Sequence, residues 1–198
     1  MSRRSAVLLA LSALVLTLVV VFAGVPSCAS RGGGDDGTPA VDTEIMAFLS
    51  EARAFHHEAN LKENGGDLPG AIGAMERLVA AKRPHPNRAT PEVEEVLADA
   101  YARLAELRLE KGDLDPAAAA VKSGLDHVAD ATYFRGHLVE VQGLVEEARA
   151  AQLSDAGNAA EAAKAREHAI QLLEEVVKIQ DEVIQRSLAK DGGPEAAR

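Results

Sequence analysis

Apolar residues along most of this chain recur at intervals of three and four, as in Val96, Ala100, Leu104 and Leu107, the spacing that lines up one face of a helix. Alternation at period two is confined to stretches too short for a strand, so the pattern predicts an all-α protein. Capping residues and helix breakers divide it into six helices. The first is expected from Thr43 to Asn64, before Gly65-Gly66, and the second from Asp67 to Arg83, before Pro84-His85-Pro86-Asn87. Thr90-Pro91-Glu92 opens the third, which reaches Lys111. Proline at the first helical position gives up no needed hydrogen bond, and acids there face the positive end of the helix dipole. Asp113 or Asp115 opens the fourth, to Val128; the fifth spans Thr132 to Leu153 and the sixth Ala159 to Lys190. Links this short set neighbours antiparallel, which gives three helical hairpins. Residues 191–198, with Gly192-Gly193-Pro194, are expected to be a disordered tail.

The pattern repeats itself. Gly66-Asp67-Leu68 and Gly112-Asp113-Leu114 are 46 residues apart, and each glycine is followed five residues later by an alanine (Ala71, Ala117) that begins a new apolar run. Gly157-Asn158 lies 45 residues beyond Gly112, flanked by Ala150 and Ala162. Repetition on this scale points to stacked helix pairs, a build suited to holding a partner. Composition agrees: with no Trp, two Tyr and four Phe, packing has to rely on small side chains that let helices approach closely.

Tyr101, Leu104, Ala105, Ala117 and Val121 in the second hairpin, and Phe55, Ala59, Ala71 and Met75 in the first, with Pro84 beyond them, resemble the tetratricopeptide repeat, whose pattern is W-x2-L-G-x2-Y, then A-x3-F after a turn, then P. The third copy is degenerate. The family repeats at about 34 residues, so the longer spacing here implies elongated hairpins and leaves HEAT-like helix pairs or a plain bundle as alternatives. The resemblance implies a helical domain over 42–190 in which the first helix of each pair lines a concave face. It carries the family's groove-facing places to Arg53, His56 and Asn60, then Asp99, Glu106 and Glu110, then Glu147. That face is mixed at one end and acidic further along, which suits an amine, a basic peptide or a basic protein surface as partner, since opposite potentials steer encounter. The same acids on exposed helices equally serve solubility alone.

Charge separates the chain's beginning from the rest. Residues 1–27 contain Arg3 and Arg4 and no acid, which leaves 19 Lys+Arg against 31 Asp+Glu beyond them. Such a chain, with its bases interspersed among acids, repels phosphate, so nucleic acid is not an expected partner. The uncharged run from Ala6 to Val25 after two arginines reads as a signal peptide or a membrane anchor. Val25-Pro26-Ser27-Cys28 resembles the lipobox of bacterial lipoproteins, which implies lipidation at Cys28 and a place on the extracytoplasmic face of a bacterial cell envelope. An uncleaved anchor and ordinary signal-peptidase cleavage remain the alternatives. Residues 28–41, with Arg31-Gly32-Gly33-Gly34-Asp35-Asp36-Gly37, read as a flexible linker.

Catalytic chemistry has no motif here: no glycine-rich phosphate loop and no nucleophile elbow, and the glycine run belongs to the linker. The six histidines are scattered; His56 and His57 point about 100° apart on a helix, and His137 with Glu140, or His127 with Asp130, offers two ligands each. The sixth helix outruns the fifth, and its Leu172, Val176, Ile179 and Val183 follow four-three-four spacing. That stripe either folds over the preceding hairpin or, over 172–188, awaits a partner or a second copy. The expectation is a non-catalytic, cofactor-free, membrane-tethered scaffold or adaptor for a protein or peptide, with assembly of an envelope complex as its work; the alternative is an anchored helical bundle that sequesters a small ligand or metal.

Overall fold

The computed structural model describes residues 41–191 of the chain. The expected leader over 1–27, Cys28, nearly all of the expected linker over 28–41 and the expected tail over 192–198 lie outside the described residues. Those described form six helices and no strand: α1 (Thr43–Asn64), α2 (Leu68–Val79), α3 (Pro91–Lys111), α4 (Leu114–Leu125), α5 (Tyr133–Asp155) and α6 (Ala159–Asp191). None of them is long and apolar enough to cross a membrane.

The helix ends follow local chemistry. The Asp42 carboxylate accepts hydrogen bonds from the backbone N–H groups of Glu44 and Ile45, both at 3.2 Å, and so caps α1; Asp67 does the same for α2 through Gly70 at 2.9 Å, and Thr132 for α5 through Arg135 at 3.1 Å. Pro91 occupies the first position of α3, as its fixed φ and missing donor allow. Gly66, Gly112 and Gly157 all turn with positive φ, at 79°, 86° and 80°, a conformation a side chain would strain. A tight turn with a positive-φ glycine therefore recurs where the sequence repeats. Two expected ends differ: α4 stops at Leu125 rather than near Val128, and α2 stops at Val79 rather than near Arg83. A helix continued to Pro84 would drive the proline ring into the carbonyl of Ala80, so the chain leaves the helix a turn early.

Packing pairs α1 with α2, α3 with α4, and α5 with α6; in addition α3 packs on α2, and α5 packs on both α3 and α4. Small residues make this possible. Ala59, Ala71, Ala105, Ala117 and Ala162 have no exposed surface, and Ala150 almost none. With Ala59, Ala71, Ala105 and Ala117, the residues Met75, Leu78, Leu107, Val121, Leu138, Val141 and Val145 belong to one continuous core, with Phe55 and Tyr101 packed at its margin. On α5, Gly136 and Gly143 let α6 approach closely: a Cβ at Gly143 would stand 3.2 Å from Leu173, and one at Gly136 would stand 2.6 Å from Gln180. The stripe Leu172, Val176, Ile179 belongs to this contact, where Leu172 and Ile179 are buried with Val139. Val183 of the same stripe is half-buried.

The link from α2 to α3 folds back on the start of the domain. His85 adopts a positive φ of 45°, and its Nε2 lies 2.7 Å from the Asp42 carboxylate that caps α1. Bonds from the Ile45 N–H and from the His85 side chain hold the Asp42 carboxyl below its usual range, against a small opposing effect of desolvation.

Candidate partner-binding face

One polar face runs across α1, α3 and α5. On α1 it is built from Arg53, His56, Asn60 and Glu63, and on α3 from Asp99, Arg103, Glu106 and Glu110, because steps of three and four keep residues on one side of a helix. Spacing puts His137, Glu140 and Glu147 together on α5.

Side-chain contacts join the three helices. His56 Nε2 and the Asp99 carboxylate are 3.6 Å apart. The Arg103 guanidinium donates to Glu63 on α1, to Asn60 Oδ1 at 3.5 Å and to Glu106 Oε2 at 3.2 Å on its own helix. The other Glu106 oxygen meets His137 Nε2 on α5 at 3.0 Å. Arg103, Glu63, Glu106 and His137 are all about three-quarters buried, at 24%, 26%, 32% and 23% exposure, so these contacts are less screened than surface pairs.

The electrostatics follow from that burial. The bond to Glu106 is the largest influence on His137 and raises its pKa above 6.5; desolvation opposes this, and the charges of Glu106, Asp99 and Glu140 add to it. For Glu106 burial pushes the carboxyl upward, but the His137 and Arg103 bonds and charges outweigh it and hold the group below 4.5. His56 goes the other way: burial lowers its pKa, and the nearby Asp99 only partly offsets the effect.

Of the residues expected on this face, His56, Asn60, Asp99 and Glu106 are drawn into or beside the Arg103 network. Arg53, Glu110 and Glu147 are exposed and make no ion pair among the described residues. The structure adds Glu63, Arg103 and His137. Arg103 was legible by spacing, four residues after Asp99 and three before Glu106. It changes the character of the face, since Glu106 is already engaged twice, and the acids left free are Glu110, Glu140 and Glu147. The sequence-level ligand pairs do not grow into a metal centre: His137 turns to Glu106, His127 Nδ1 lies 2.6 Å from Glu94, and no group of three such side chains that could hold a metal ion occurs among the described residues.

No protein-family model matches the chain, and a search of curated proteins finds no match either.

Proposed function

We propose that the chain is a non-catalytic adaptor, tethered to the membrane of a bacterial cell envelope through its N-terminal segment, that holds a basic protein or peptide on the face shared by α1, α3 and α5. On this reading the domain is three antiparallel hairpins of an elongated tetratricopeptide-like build, with Cys28 as the lipidated residue. The recurrence of one glycine turn at 46- and 45-residue intervals, each followed by a helix packed back on the one before it, supports that build. Contacts run in the matching sense: Arg77 lies over Phe55 at 5.3 Å, the Arg108 guanidinium donates to the Pro116 carbonyl at 3.1 Å, and Gly124 faces Tyr101.

The observation that carries the function is the division of labour on the polar face. Arg103 and His137 lock its centre across three helices, while Glu110, Glu140 and Glu147 stand exposed and unpaired around it. A rigid centre with free charges of one sign is suited to recognition, because ordering has been met in advance and opposite charge on the partner completes the potential. The test is capture from native membranes by the full chain. Glu110→Lys with Asn60→Lys, both at exposed positions, is expected to reduce capture while helicity by circular dichroism stays the same; unchanged capture would leave the acids a solubilising role only. Cys28→Ser is expected to abolish acylation, and a variant of unchanged mass and membrane association would refute lipidation.

A further inference from the structure

The turn glycines supply a ruler. Advancing by 45 residues from Gly112 to Gly157 carries Ala102, Glu106, Val121, Gly124, Leu125 and Val128 of the α3–α4 pair onto Glu147, Ala151, Arg166, Ala169, Ile170 and Leu173 of the α5–α6 pair. In the earlier pair that surface is covered. Ala102, Val121, Gly124 and Val128 are buried, α5 packs on both helices, Leu138 of α5 sits where a Cβ on Gly124 would lie 2.6 Å away, and His137 meets Glu106. In the later pair the six counterparts line an open groove of about 380 Å³.

That groove is apolar where a helix would lie. Ile170 is 52% exposed and Leu173 41%, and the stripe continues along α6 through Val177, Ile184 and Leu188. This stripe is turned away from the buried one that contacts α5, so α6 carries two apolar faces, one satisfied and one not.

We propose that the α5–α6 groove docks an amphipathic helix of another protein, with an apolar heptad stripe flanked by Lys or Arg. The helical form follows from the equivalent groove, which takes α5 through Leu138, Val141 and Val145. The basic flanks follow from the banks. Glu167, Glu174 and Asp181 recur every seven residues beside the stripe on α6, and Glu140 and Glu147 are seven apart on α5. All five are exposed, and none forms an ion pair among the described residues. Arg166 is the exception, at one end of the groove. A second copy laid along this stripe would set acids against acids, whereas Lys or Arg at the flanking heptad positions would meet one acid per two turns. The groove borders the Arg103-centred face and shares Glu140 and Glu147 with it, but its apolar stripe lies on α6, and it can hold whether or not that face binds anything.

The test uses the full chain in detergent and two labelled three-heptad peptides with Leu at the core positions, one with Lys and one with Glu at the flanks, followed by fluorescence anisotropy. The Lys peptide is expected to bind saturably and the Glu peptide about tenfold or more weaker. Ile170→Asp with Val177→Asp, both exposed, is expected to cut Lys-peptide affinity by about tenfold or more with helicity unchanged, while Glu110→Lys leaves it as it was. Absence of Lys-peptide binding, equal binding of the two peptides, or equal binding by the Ile170/Val177 variant would overturn the proposal. So would a dimer in sedimentation velocity that the same variant dissolves, since the occupant would then be a second copy.

Discussion

The α3–α4 and α5–α6 pairs share a turn and a backbone plan, yet they treat the same surface in opposite ways. Where α5 follows, Ala102, Val121 and Gly124 are apolar and buried, and the one charged member, Glu106, is paired with His137 of α5. Forty-five residues on, the counterparts Glu147 and Arg166 are charged and exposed, while Ile170 and Leu173 stay apolar in the open. Burial, not the helical pattern itself, decides which substitutions a repeat can accept. A groove that no described helix covers is free to take on charge, and the apolar residues it nevertheless keeps are the ones that call for an explanation.

The sharpest break in this comparison should come from exchanging the charged and apolar members of one pair. Val121→Arg places an unpaired charge in a site that is 1% exposed and is expected to cost about 4 kcal/mol or more in urea unfolding, whereas Arg166→Val should stay within about 0.5 kcal/mol of wild type. Similar losses for both would mean that the two grooves are not opposite environments. Next in size, Leu138→Ala removes a fully buried side chain and should cost about 2–5 kcal/mol; Ile170→Gln, half exposed, should cost no more than about 0.5 kcal/mol. A loss of several kcal/mol for Ile170→Gln would show that the stripe is covered within the chain.

Glycines give a finer contrast. At Gly124 an added Cβ would meet Leu138 at 2.6 Å and the Tyr101 Cβ at 2.9 Å, so Gly124→Ala is expected to cost about 1–3 kcal/mol from overpacking. At Gly143 the nearest atom is the Leu173 Cδ2 at 3.2 Å, the end of a side chain that borders the open groove and can move. Gly143→Ala should therefore be neutral or gain up to about 1 kcal/mol from helix propensity; equal destabilisation at both sites in thermal melts would count against an open groove.

The smallest effect is a pH dependence on the covered side. Because the folded state raises the His137 pKa, it binds that proton more tightly than the unfolded chain does. The stabilisation is then complete below 6.5, the unfolded value, and fades as pH rises through the higher folded one. Burial lowers the pKa of His56 and of His127, so their contributions run the other way, present above 6.5 and lost as pH falls through their folded values. The comparison must therefore be between wild type and His137→Gln, whose stability gap should widen on moving from alkaline pH to below 6.5. A gap independent of pH would mean that the His137–Glu106 link carries no net charge coupling.

Much of the fold was legible before any coordinates. Local signals suffice for α1 and α3, whose bounds fall at Asp42, Gly65, Thr90 and Gly112, because caps and turn glycines act within one turn of helix. The end of α2 was not, since Val79-Ala80-Ala81 continues a good helix and the stop comes from Pro84, four residues after Ala80. The polar face was half legible. Helical spacing brought Asp99, Glu106 and Glu110 to one side, but which of them are free depends on Arg103 reaching Glu63 on α1 and His137 reaching Glu106 from α5, contacts 40 and 31 residues apart in sequence. The sixth helix shows the same limit from the other direction. Its Leu172–Val176–Ile179 stripe and its Ile170–Leu173–Val177 stripe both read as helical faces, and tertiary packing alone determines that the first is core and the second is surface.

We propose that this domain holds a protein partner on the α1–α3–α5 face. The proposal is tested most directly by site-specific photo-crosslinking in native membranes, with the reactive side chain placed either at Glu110 on that face or at exposed Lys122 on α4. The expected product is one discrete crosslinked protein, with a Lys- or Arg-rich contact segment, from position 110 and none from position 122. No product from position 110, or the same products from both, would contradict it.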